Sequence, residues 1–180
     1  MSEIRANSGV AARNEIYNFY QTSFKQPTFQ FCFASGSTRF MSANKPEYPV
    51  VSSLLFDGSK ILLLKRSQKV GSFQGYWSCI SGYIEQDELP LDAAIREIHE
   101  ETRISSTEIS LLQQNDPRFS DTGEVIFKSF WFFFKVRNGL SPILIDWEHD
   151  EFIWIEPREL KNFQAVPWIP SMIDSFQNEK

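Results

Sequence analysis

Glu97, Glu100 and Glu101 place three carboxylates within one helical turn and a half. At about 100° per residue a helix would bring them onto one arc, with the small Ala93 between them leaving room above. Like charges three or four residues apart destabilise a helix by roughly 0.2–0.5 kcal/mol per pair. Such a cluster therefore needs either bulk solvent or a cation, and a solvated acidic face and a divalent-metal platform are both open readings. The helix that must carry it begins at Pro90, whose missing N–H costs nothing at a first helical position. Leu91, Ala94, Ile95, Ile98 and Thr102 recur at the helical period and form its core-facing side. Glu88 and Arg96 lie across the loop-to-helix junction, where a charge-assisted pair would fold the loop back and hold Glu97 in place.

The full spacing carries more than the acids alone. Gly82, five residues, Glu88, seven residues, Arg96-Glu97-Ile98, one residue, Glu100-Glu101 and Ile104 resembles the Nudix box, the loop-helix-loop signature of the Nudix hydrolases. The chain departs from it at Arg103, where the family usually has Gly. A glycine there would be a left-handed C-cap, and Arg in that conformation would cost on the order of 1 kcal/mol. The resemblance implies an α/β fold, a mixed sheet sandwiched between helices (α/β/α). It also implies a Mg²⁺-dependent pyrophosphohydrolase, Mn²⁺ being a substitute ion, acting on a nucleoside diphosphate linked to another group X. Spacing and resemblance jointly suggest Glu97, Glu100, Glu101 and the Gly82 carbonyl as the metal ligands. Glu100 is the first candidate base, Glu148 the second, by similarity to a loop acid in related enzymes, and Glu97 completes the catalytic set. Glu88 and Arg96 would support the site.

Before the box, apolar runs at 50–56 and 60–66 joined by Asp57-Gly58 read as a β-hairpin. Lys65, Arg66 and Lys69 lie at its exit beside the glycine-bearing loop 71–75, where Arg66 and Lys69 could receive a substrate phosphate or be surface bases. Phe73, Trp77, Phe119 and Trp131 are candidates to stack on a planar group, or core residues. Residues 77–81 should lead a strand into the box. A strand is expected at 108–113, a loop punctuated by Asp116-Pro117 and 121–123, and a strand covered on both faces at 125–136. A strand at 152–155, a helix at 157–163 and a last helix framed by Pro167 and Pro170 follow. His149 could be a base or an exposed loop imidazole.

At 180 residues one domain with a real core is expected: an N-terminal extension over 1–45 and a Nudix domain over 46–180. Residues 10–24 suit a short amphipathic helix and 29–33 an extended aromatic stretch, serving as a packed extension, a lid or the arm of a homodimer. Two cysteines are too few for a disulfide framework. No apolar run approaches membrane-spanning length and no secretory signal is evident, so a soluble, cytoplasmic protein without a membrane partner is expected, organelle targeting by 1–45 remaining open. The net charge of −5 argues against a nucleic-acid partner. Two other classes stay open: a Nudix-fold binding or regulatory module with weak catalysis, and a prenyl-diphosphate isomerase using Cys79 or Glu148 as proton donor.

Overall fold

Alternation of apolar side chains along four strands creates two core layers, one on each face of a single sheet. The computed structural model describes residues 45–137 and 142–177. Its strands are β1 (Glu47–Asp57), β2 (Lys60–Arg66), β3 (Trp77–Ser78), β4 (Ile80–Tyr83), β5 (Ile109–Gln114), β6 (Arg118–Asp121), β7 (Ile126–Val136) and β8 (His149–Ile155). Helix α1 (Pro90–Thr102) lies between β4 and β5, and α2 (Ile169–Gln177) ends the described chain. The expected helix at 10–24, the stretch 29–33 and Cys32 lie outside the described residues.

The sheet runs β3-β2-β1-β7-β5, with β4 beside β1, β6 beside β7 and β8 beside β2. It is mixed, because β1 and β7 pair in parallel over ten residues and the remaining pairs are antiparallel. Phe132 and Phe134 of β7, Val51 and Leu55 of β1, and Leu62 and Leu64 of β2 face α1, together with Ala93, Ala94 and Ile98. Their neighbours Trp131, Phe133, Leu54, Phe56, Ile61 and Leu63 face α2, against Ile169, Met172 and Ile173. The aromatic run in β7 is therefore apolar on both sides because both are covered, and the α/β/α expectation is met.

The β1–β2 hairpin turns through Gly58-Ser59, one residue beyond the expected position, with Asp57 paired to Lys60 and Gly58 at φ 61°. A positive φ at the first position of a two-residue loop is what glycine supplies there. Beyond the turn, β1 and β2 splay apart, and 77–83 fills the gap, with β3 pairing β2 and β4 pairing β1. The expected loop at 116–123 contains the short β6, since Arg118–Asp121 finds open backbone on β7. The segment at 157–163 is 3₁₀ (Pro157–Asn162) rather than α, closed by a Glu156/Glu159 capping box and ended where Phe163 meets Trp77.

Candidate active site

Helix α1 does not turn its acids outward. It lies against β4 and β1 with Ala93, Ala94, Ile98 and Thr102 fully buried, and that wide buried arc takes Glu97 and Glu101 in with it. Ala93 thus packs as core instead of leaving open space above the carboxylates. Only Glu100 of the three is half-exposed, its side chain 44% accessible, so the solvated acidic face is excluded for Glu97 and Glu101.

Gly82 explains how Glu97 fits. A Cβ on Gly82 would coincide with the Glu97 carboxylate, so the missing side chain is the notch in which that carboxylate sits. Arg96 fixes the same carboxylate from the other side. Its Nε and Nη2 donate to the two Glu88 oxygens at 2.8 and 2.9 Å, Nη2 also to the Tyr83 carbonyl at 3.0 Å, and Nη1 to Glu97 at 2.6 Å. Nη1 reaches Glu100 at 3.5 Å. Glu88 also accepts from the Glu85 N–H. The guanidinium thereby fastens the loop 83–88 to the helix and to two of its acids, and Glu88 with its neighbours holds the Arg96 proton more tightly than usual.

Glu101 is the most constrained of the acids. Its Oε1 accepts from the Ser81 N–H at 3.1 Å, whereas its Oε2 is buried with no hydrogen-bond partner. Burial first, and then the charge of Glu97, raise its carboxyl well above the usual range, against the lowering by Ser81 N–H; Glu148 and Asp146 add to the rise. A buried orphan oxygen beside a second carboxylate is costly unless a cation or proton meets it. The residues present therefore fit a hard divalent ion. Among the described residues no three His, Cys, Asp or Glu side chains already form a metal cage.

Glu148 stands in the turn before β8, close enough to act electrostatically on Glu101. Two residues that the sequence reading did not assign, Asp146 and Ser67, hold this turn together with His149. Asp146 Oδ1 accepts from the Glu148 N–H at 3.1 Å and contacts His149 Nδ1 at 2.9 Å, while Ser67 donates its N–H to the Glu148 carbonyl and its hydroxyl to that of Trp147. His149 is buried, not an exposed loop imidazole, because as the first residue of β8 it points between Asp146 and Glu101. The Asp-x-x-His spacing was the available signal.

The other candidates separate. Arg66 lies opposite His149 in the β2–β8 pairing, at the same end of the sheet as the carboxylates, with Nε donating to the Ser72 carbonyl. Lys69 is exposed in the following loop. Phe73 and Trp77 are packed on the α2 face, Phe73 edge-on to Tyr76 and Trp168, Trp77 edge-on to Phe163. Phe119 is exposed on β6, and Trp131 is buried under the Arg118 guanidinium, 4.7 Å from the ring centre. Cys79 is no proton donor for this site: it belongs to the α2-face core, its thiol 3.8 Å from Met172 Sδ and pushed up to about 12 by burial. No helix among the described residues is long and apolar enough to cross a membrane.

Known proteins resemble this chain in sequence and in fold. The chain is 29% identical over 115 residues to dihydroneopterin triphosphate diphosphatase of Haemophilus influenzae, covering 57% of this chain and 69% of the relative. It is 32% identical over 101 residues to RNA pyrophosphohydrolase of Bartonella tribocorum, covering 47% of this chain and 58% of that protein. The fold matches a MutT protein from Methanosarcina mazei with a TM-score of 0.62 at 22% identity, over 77% of this chain and 98% of that one. The family model for the NUDIX domain matches residues 46–176. With its box on a buried-acid helix and that match spanning nearly all described residues, the chain belongs to the Nudix hydrolase family.

Proposed function

We propose that this hydrolase cleaves the diphosphate of a nucleoside diphosphate linked to a group X, with Mg²⁺, or Mn²⁺ in its place, as the working ion. The observation that carries the reading is the orphaned Glu101 Oε2 beside a Glu97 carboxylate seated in the Gly82 notch. Glu97, Glu100, Glu101 and the Gly82 carbonyl would hold the ion. When bound, the ion neutralises the diphosphate and acidifies a water.

The protein's own groups do the rest. Glu100, the most accessible of the three acids, takes the proton of the attacking water, and Glu148 is the second candidate for that role. Arg96 and Glu88 orient Glu97 and do not touch the substrate. Arg66 and Lys69, at the β2 exit, receive a phosphate of the substrate. Phe73 and Trp77, whose edges are engaged in packing, contribute the wall beside them and not a free stacking face. The relatives' names, a pteridine triphosphate diphosphatase and an RNA pyrophosphohydrolase, support a substrate with a ring system joined to a polyphosphate.

The test is product release from a panel of nucleoside diphosphate derivatives, nucleoside triphosphates and pteridine triphosphates, with and without Mg²⁺, for wild type and Glu100→Gln. Metal-dependent turnover falling by about two orders of magnitude or more in the variant is expected. Equal turnover in both, or turnover indifferent to a chelator, would overturn the assignment of Glu100 or of the ion respectively.

A further inference from the structure

We propose that Asp146 and His149 form a positioning dyad that holds the Glu101 carboxylate, and the turn bearing Glu148, in place for a divalent cation. The proposal rests on the metal site described under Proposed function. His149 and Glu101 have side chains only 2% and 5% accessible, and His149 Nε2 lies 3.6 Å from Glu101 Oε2. That is too long for a hydrogen bond, yet the imidazole edge stands against the one oxygen of Glu101 that has no hydrogen-bond partner. The Ser81 N–H holds the other oxygen. The carboxylate is thus bounded on both sides by groups from different strands, the half-buried Ser81 of β4 and the buried His149 of β8.

The ring is itself fixed. A carboxylate can only accept, so Asp146 Oδ1, 2.9 Å away, takes the His149 Nδ1–H and fixes the orientation of the ring, whose Nε2 edge then packs against Glu101 without donating to it. The same Oδ1 accepts from the Glu148 N–H, and Ser67 at the end of β2 pins the Trp147 and Glu148 carbonyls. One carboxylate therefore couples the ring behind Glu101 to the turn that presents Glu148. Carboxylate and histidine partners behind a ligand are worth about 10–100-fold in metal affinity. Neither Asp146 nor His149 needs to touch substrate for this role.

The experiment is a titration of the full chain with Mn²⁺ alone, followed by loss of the free-ion paramagnetic resonance signal, without substrate. It compares wild type, His149→Phe, His149→Asn, Glu101→Gln, the Glu101→Gln/His149→Phe double variant, and His99→Gln on the exposed side of α1. The expected result is about 10–100-fold weaker Mn²⁺ binding in both His149 variants and binding within about twofold of wild type for His99→Gln. The double variant should be no weaker than Glu101→Gln, because His149 acts through Glu101. Wild-type affinity in the His149 variants, or additive losses in the double variant, overturns the dyad alone. Absence of Mn²⁺ binding by the wild type overturns the metal reading and the dyad with it. Loss of a cooperative melting transition in both His149 variants would make His149 a folding residue and also overturn the proposal.

Discussion

Glu101 converts a local electrostatic problem into a pH dependence. Its folded-state carboxyl is raised, by burial foremost and then by Glu97. The stability it allows is therefore fully present below the unfolded value of about 4.3 and lost as pH rises through the folded one. In a chelator, Glu101→Gln, which carries no charge at any pH, should melt higher than wild type at pH 8, and the difference should vanish as the pH is lowered toward 4. Added Mg²⁺ should reverse the order, since it stabilises only a fold that binds it. Melting curves across pH, with and without the ion, check both halves. A wild type that is the more stable at pH 8 in chelator would contradict the raised carboxyl.

At the scale of the element, α1 is begun and ended by backbone rules. Pro90 opens it at the first helical position, and Arg103 closes it in the left-handed region at φ 62°, ψ 8°, its N–H bonded to the His99 carbonyl. The box departure is thus a strained cap, occupying the conformation that glycine would take without a Cβ penalty. Arg103→Gly should raise stability by roughly 0.5–1 kcal/mol, the relief of strain being partly offset by the freer unfolded chain. Chemical denaturation would read this as a higher midpoint at unchanged slope. A lower midpoint would mean that the Arg103 side chain makes a contact worth more than the strain.

For the whole molecule, the sheet's two covered faces decide where mutation is tolerated. Phe133 of β7 is fully buried on the α2 face and stacked on Phe176, 5.1 Å between ring centres, whereas Phe119 on neighbouring β6 is 61% exposed. Phe133→Ala should cost about 3–5 kcal/mol and Phe119→Ala within about 0.5 kcal/mol, measured by urea unfolding. Comparable losses for the two would place the second core layer wrongly. The same two-sided burial was legible in the residues 125–136, because a strand whose apolar residues fall on both faces has no face to give wholly to water. The short strand Arg118–Asp121 was not legible, because its polar and exposed residues acquire strand geometry only from the open edge of β7.

The residues alone determined the helix at 90–102, its cap strain at Arg103, the hairpin at 57–60 and the box with its acids, since each follows from periods, backbone restrictions and fixed spacings within one stretch of chain. Tertiary structure decided which acids are buried. Helical geometry puts Glu97, Glu100 and Glu101 on one arc, but only the placement of α1 against β4 sinks Glu97 into the Gly82 notch and leaves Glu100 half-exposed. It also decided that His149 at the β8 start, bonded to Asp146 beside a turn that Ser67 pins from the β2 end, meets Glu101 across the sheet. Contacts between segments so far apart in the chain carry no local period or propensity, so they exist as a pattern only once the strands have paired.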